Sequence, residues 1–152
     1  MRKLNENSKP YDYPIPLQDQ HLDSFVGSHI FSSLDFRSGF WNIPLHESSR
    51  DLTSFSIPEL GKFRFKRLPQ GCSVSAQLFA AILDHLLRDI RKLPENLAKN
   101  HCGGVSNYFD DISVYSDSFE IHLVLLRRLF LRLRECNMSL NPSKSKFGYK
   151  KL

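Results

Sequence analysis

The stretch Asn107-Tyr108-Phe109-Asp110-Asp111-Ile112-Ser113-Val114-Tyr115 decides how this chain is read, because it sets two adjacent carboxylates between segments of strand character. Neighbouring side chains of a regular strand point to opposite faces. Asp110 and Asp111 can therefore serve one site only where the backbone turns, as in a tight hairpin. Gly103-Gly104-Val105 ahead of the pair and the alternating Ile112 and Val114 behind it supply the two arms. Taken alone, the pair is better explained as a solvated turn, since Asp tolerates turn backbone angles and accepts hydrogen bonds from nearby amides.

Outward from this hairpin the apolar pattern changes period several times. Ile30 to Phe36 alternates and predicts a strand with Asp35 near its end. Thr53, Phe55, Ile57 and then Phe63, Phe65 alternate around Pro58-Glu59-Leu60-Gly61, which predicts a hairpin with a four-residue loop. Lys62, Arg64, Lys66 and Arg67 mostly take the opposite face of its second strand. After Leu68-Pro69-Gln70-Gly71 the spacing becomes three and four, through Ala76, Phe79, Ala80, Leu83, Leu86, Leu87 and Ile90. This is the strongest helix signal in the chain, with Ser73 or Ser75 as its cap and Pro94 as its stop. Lys92 to Asn100 reads as a polar connection. Asp117 and Glu120 form a capping-box-like start for a second helix with Leu126, Leu129, Phe130 and Leu133 on its apolar face. That arrangement leaves Arg127, Arg128, Arg132 and Arg134 to solvent. At the front, Arg2 to Pro16 reads as an extended segment. Leu17 to Val26 reads as a short helix with Pro16 in its first turn and Gly27 at its end, burying Leu22, Phe25 and Val26. Strand, hairpin, helix, hairpin, helix predicts an α+β layer, with helices packed on an antiparallel sheet.

A chain of 152 residues suits one domain with a real core. Its 21 Lys and Arg against 16 Asp and Glu give a net charge of +5, which suits an anionic partner such as nucleic acid and equally suits ordinary solubility. Cys72, Cys102 and Cys136 are odd in number and make no Cys-x-x-Cys pair, so neither a disulfide framework nor a zinc site is indicated. A reducing, intracellular and cytoplasmic setting is expected. No membrane partner is expected, since Arg127 and Arg128 interrupt the most apolar run and the N-terminus lacks the pattern of a signal peptide.

Three motifs in order then become specific: Leu34-Asp35-x-x-x-Gly39-Phe40, Leu68-Pro69-Gln70-Gly71 and Tyr108-x-Asp110-Asp111. They resemble motifs A, B and C of a reverse transcriptase of the retroviral and long-terminal-repeat retrotransposon type, with the nearest likeness to gypsy-like elements. Tyr13-Pro14-Ile15-Pro16, Arg50 with Thr53-Ser54-Phe55, and Leu140-Asn141-Pro142 with Lys146-Phe147-Gly148 are similar to that family's connecting segments. The resemblance covers almost the whole chain. It implies the palm of a right-hand polymerase with part of the fingers, an RNA-directed DNA polymerase from a retrotransposon polyprotein, in which residues 1–152 are one domain fragment. By the same comparison the basic triphosphate-gripping residues of the fingertip would precede Met1, and the thumb, connection and RNase H segments would lie outside the chain.

The resemblance also implies roles. Asp35 and Asp110 would bridge two Mg²⁺ ions, replaceable by Mn²⁺, with Asp111 and the backbone carbonyl of Phe36 completing the site. Mg²⁺ is a hard ion that takes few protein oxygens and keeps several waters, and clustered carboxylates without a cation repel one another. Phe40 would stand under the incoming sugar as a gate against a 2′-hydroxyl; without the motif it reads as a core aromatic, and Trp41 beside it as packing. Gly39, Gln70, Gly71 and Tyr108 join Phe40 as substrate-binding residues. Lys144 is a candidate general acid for the pyrophosphate, with Lys146 its competitor and a plain surface lysine the alternative. Where gypsy-like chains carry an Asn-Ala-Pro-like triplet after motif B, this chain has Val74-Ser75-Ala76. The expected partners are an RNA or DNA template-primer, dNTP and further polymerase segments or a second subunit, in the setting of a virus-like particle. The competing reading is a catalytically inactive or domesticated relic that binds nucleic acid or associates with other polymerase segments.

Overall fold

The computed structural model describes residues 1–9, 11–14 and 18–150. Among these, helices α1 (Arg2–Asn7) and α2 (Gln18–Asp23) precede strand β1 (Ile30–Leu34). Short helices α3 (Gly39–Asn42) and α4 (Glu47–Arg50) lead into the hairpin β2 (Phe55–Ile57) and β3 (Gly61–Phe63). Helix α5 (Ser75–Leu87), the short α6 (Glu95–Ala98), the hairpin β4 (Gly103–Tyr108) and β5 (Asp111–Ser116), helix α7 (Phe119–Glu135) and strand β6 (Lys146–Tyr149) complete the order.

Four strands form an antiparallel sheet in the order β4-β5-β1-β6. Leu34, Ile112, Val114 and Val105 lie on one of its faces, and they join Phe79, Leu83 and Leu87 of α5 and Leu125, Leu126, Leu129 and Leu133 of α7 in the core. Both long helices thus cover one face, as their spacing of three and four requires. The opposite face is partly covered by Phe25, whose ring packs on Phe31 and Tyr115. The mixed layer agrees with the α+β expectation.

Local readings changed where tertiary contacts override local pattern. Residues 2–7 are helical rather than extended. The helix expected over Leu17–Val26 is Gln18–Asp23; Pro16 and Leu17 lie outside the described residues, and a turn after Asp23 buries Phe25 while leaving Leu22 and Val26 exposed. The first hairpin closes one residue tighter, with Gly61 paired to Ile57 and Glu59 at φ 66°. Its strands are exposed and stand away from the core. Helix α5 begins after Val74 with no side-chain cap, because the Ser75 hydroxyl instead donates to the Pro69 carbonyl at 2.9 Å. It ends at Leu87, well before Pro94, which starts α6. Ser118 caps α7, while Asp117 accepts from the Cys102 amide. Phe130 is exposed and meets Phe147, and Trp41 is exposed rather than packed. Arg128 is not left to solvent: it donates to the carbonyls of Asp89 and Lys92.

One polar cluster sits inside the helix-covered face. The His122 ring of α7 lies 2.7 Å from Ser32 Oγ of β1 and 3.0 Å from Ser116 Oγ of β5. Ser116 Oγ donates to the Ser118 carbonyl and Ser32 Oγ accepts from the Gly148 amide. A neutral imidazole with its proton on Nδ1 therefore satisfies every member, accepting from Ser32 and donating to Ser116. Burial holds the His122 pKa below its ordinary value, and burial followed by the Arg91 charge does the same to His21. Below about pH 6.5 the unfolded chain takes protons that the folded core refuses, so stability is lost as pH falls through that window. Denaturant midpoints should fall between pH 7.5 and 5.5, and the fall should shrink in His122→Gln; an equal slope in both proteins would refute this.

Candidate active site

Asp35 follows the last residue of β1. The paired register ends with Ser33 opposite Ser113 and Leu34 opposite Ile112, and continued by one step it sets Asp35 opposite Asp111, on the face away from α5 and α7. Adjacent antiparallel positions hold their Cβ atoms roughly 4.5–5.5 Å apart, so the register explains how carboxylates distant in sequence meet. Tyr108 pairs with Asp111, which leaves Phe109 and Asp110 as a two-residue turn. Phe109 has φ 54°, a left-handed value uncommon for an aromatic residue. Its ring lies perpendicular to that of Tyr108, with centroids 5.0 Å apart. Tyr108 also meets the His21 ring at 5.5 Å.

A second segment braces Asp35 from the other side. The Asn141 amide donates to the Asp35 carbonyl at 2.8 Å, the Arg37 amide to the Ser139 carbonyl at 2.8 Å, and the Asp35 amide to Ser145 Oγ at 3.3 Å. This places Lys144 Nζ 3.9 Å from Asp35 Oδ2. Lys146 instead lies in β6, paired with Ser33. Ser139 and Ser145 carried no recognisable signal in the sequence, because their role is set by which backbone they face.

Phe36 and Phe40 reach the site through helix α5. Phe79 of α5 is buried, meeting Phe36 at 5.6 Å edge-on and Phe40 at 5.2 Å. Ser38 at φ 55° turns the chain into α3, and Gly39 follows it where a Cβ would come within 2.8 Å of the Phe79 ring, so a larger residue there would have to displace that ring. A cleft of about 340 Å³ is lined by Asp35, Phe40, Gln70, Asp110 and Lys144, with Phe36 and Gly39 also on its wall. A neighbouring cleft shares Phe40 and Asp110 and adds Tyr108 and Asp111. Gly71, at φ 83°, shapes the turn that carries Gln70.

Burial first, then the charges of Asp110 and Asp35, push the Asp111 carboxyl up, while Lys144 opposes them. The charges of Asp110 and Asp35 thus bear on the Asp111 carboxyl. Among the described residues no three His, Cys, Asp or Glu side chains already close around a single metal position. The donor chemistry nevertheless fits a hard divalent cation, since clustered anionic oxygens are what such an ion binds and relieves. Cys72, Cys102 and Cys136 are free thiols. Among the described residues no helix is long and apolar enough to cross a membrane.

Residues 1–152 match the family described as reverse transcriptase (RNA-dependent DNA polymerase). Over 96% of its length the chain is 34% identical to the retrovirus-related Pol polyprotein from transposon opus and 31% identical to that from transposon gypsy, both of Drosophila melanogaster. It spans 14% and 13% of those two polyproteins. Among solved structures it is similar to a foamy viral protease-reverse transcriptase in complex with double-stranded DNA, with a TM-score of 0.83 and 26% identity, covering 99% of this chain and 24% of the foamy viral one.

Proposed function

The chain belongs to the reverse transcriptase (RNA-dependent DNA polymerase) family, and from that membership we propose that it is a palm that joins dNTP to a primer 3′-hydroxyl on a nucleic-acid template. The observation that supports this most is the cleft that gathers Asp35, Asp110, Phe40, Gln70 and Lys144, with Asp111 next to Asp35 in the sheet register. Mg²⁺ or Mn²⁺ would be held by Asp35, Asp110 and Asp111 with the Phe36 carbonyl, and ions so bound supply activation of the 3′-hydroxyl and neutralisation of the leaving pyrophosphate. The chain's own groups do the rest. The 3′-hydroxyl gives up its proton to solvent, and its oxygen forms a bond to the α-phosphorus as the bond to pyrophosphate breaks. Lys144, 3.9 Å from Asp35, would give that leaving group a proton. Gln70 and Gly71 orient the base pair, and Tyr108 with the Phe109 turn keeps the two aspartates at the strand end.

Phe40 provides the sugar test. Its ring rests on Phe79 and faces the cleft, so a 2′-hydroxyl would meet it. Primer extension with dNTP and rNTP, in Mg²⁺ and in Mn²⁺, tests the proposal directly. Template-directed extension should require the divalent ion, and Phe40→Ala should raise rNTP use relative to dNTP by roughly 1–3 kcal/mol of discrimination. The isolated chain should extend a primer poorly or not at all, since the positioning of triphosphate and primer needs further segments. Absence of extension once the palm is completed by related fingers and thumb would overturn the polymerase reading. An unchanged ratio would remove Phe40 from sugar selection.

A second reading, a non-catalytic chain that associates with other polymerase segments, draws support from the exposed apolar residues Phe55, Ile57, Leu60 and Phe63 of the β2–β3 hairpin. Extension that survives Asp110→Asn in a mixture with such segments would favour it.

A further inference from the structure

Helix α1 buries none of its residues, yet one of its side chains bonds a turn 66 residues further along the chain. Asn5 Nδ2 donates to the Gly71 carbonyl at 2.9 Å, and Asn5 Oδ1 accepts from the Ser73 amide at 3.0 Å. A single carboxamide thus spans both sides of the left-handed Gly71 turn, where φ is 83°. From beneath, Ser75 Oγ donates to the Pro69 carbonyl at 2.9 Å. Gln70 lies between these two restraints and lines the cleft with Asp35, Phe40 and Asp110. A turn that holds a cleft residue at the surface, with backbone groups otherwise free to rotate, needs such fixing to present one geometry.

We propose that Asn5 is a positioning residue for nucleotide binding, acting through the Gly71 turn to hold Gln70 in the cleft. This rests on the polymerase reading above and adds to it a residue of α1, far from the carboxylates in sequence. Its chemistry is that of one side-chain amide matched to one carbonyl and one amide of the turn, a pairing neither an aliphatic nor a charged side chain of that length reproduces.

The test compares the wild-type chain with Asn5→Ala, Asn5→Asp and Asn7→Ala. Asn7 sits on the same helix but its side chain bonds only locally, to the Lys3 carbonyl, so Asn7→Ala controls for loosening of α1 itself. In template-primer extension by the palm completed with related fingers and thumb, Asn5→Ala should raise the KM for dNTP about tenfold with kcat changed less than about twofold, as expected when a loosened turn weakens nucleotide binding without changing the chemical step. Asn5→Asp keeps the acceptor for Ser73 and loses the donor to Gly71, so it should fall between. Asn7→Ala should match wild type. Amide exchange provides the readout independent of activity: the Ser73 amide should be protected in wild type and Asn7→Ala and exchange faster in Asn5→Ala. A wild-type chain that incorporates dNTP while Asn5→Ala leaves KM unchanged, or leaves Ser73 exchange unchanged, overturns the Asn5 assignment alone. Equal KM increases in Asn5→Ala and Asn7→Ala overturn it too, by assigning the effect to the helix. A completed wild-type palm that shows no divalent-dependent incorporation overturns the polymerase reading and this inference with it.

Discussion

Asp110→Asn is expected to abolish nucleotide incorporation, by on the order of 10³-fold or more in kcat/KM, about 4 kcal/mol of transition-state stabilisation. The amide has the shape of the carboxylate, so the two-residue turn between β4 and β5 keeps its backbone; what is lost is an anionic oxygen in the cleft shared with Asp35 and Lys144. The same change should leave the fold as stable or stabilise it. Burial and the charges of Asp110 and Asp35 raise the Asp111 pKa, so the folded protein holds a proton more tightly than the unfolded chain does. A raised carboxyl pKa costs stability as pH rises from the ordinary carboxylate value through the raised one. Removing the Asp110 charge narrows that window. Thermal melts at neutral pH should show the variant at or above wild type, and a pH titration followed by NMR should show the Asp111 carboxyl moving down. Loss of activity together with a marked drop in melting temperature would assign Asp110 to the fold instead.

Phe79→Ala should cost about 3–5 kcal/mol of stability, the range for deleting a buried aromatic ring. For a chain of this length that corresponds to a fall of roughly 10 °C in melting temperature. The expectation is large because Phe79 is 1% exposed and is shared by Phe36, Gly39 and Phe40. Its removal leaves a void under the cleft wall. The ring of Phe40 then loses its support, so discrimination between deoxy and ribo sugars should weaken as well, below the melting transition where the protein is still folded. A stability loss with unchanged sugar preference would show that Phe40 is fixed by other contacts.

These two residues divide what each level of description decides. The sequence alone determined the order of the three motifs, the carboxylate hairpin at Tyr108–Asp111 and the two amphipathic helices, because these depend on local period and on turns of a few residues. The α+β layer was legible for the same reason, whereas the polymerase palm and the likeness to gypsy-like elements came from the resemblance of the motifs to a known family; the family match and the similar polyproteins and structure agree with both. The sequence did not reveal β6, a short exposed strand interrupted by Gly148 at φ 64°, which leaves no alternation to detect. Nor did it reveal which of Leu22, Phe25 and Val26 is buried, since a turn of the backbone, not spacing, chooses among them.

Only the tertiary structure decided that Asp35 falls beside Asp111, that Phe79 floors Phe40, that Ser139 to Ser145 brace Asp35, and that Asn5 fixes the Gly71 turn. Each is a contact between segments far apart in the chain, fixed by strand register and helix docking. A one-residue slip of β1 against β5 would keep every motif in the sequence and send Asp35 to the opposite face. Register is set by the buried side of the sheet, where Leu34, Ile112 and Val114 must all face α5 and α7. The hydrophobic core therefore positions the carboxylates, although no core side chain carries a charge.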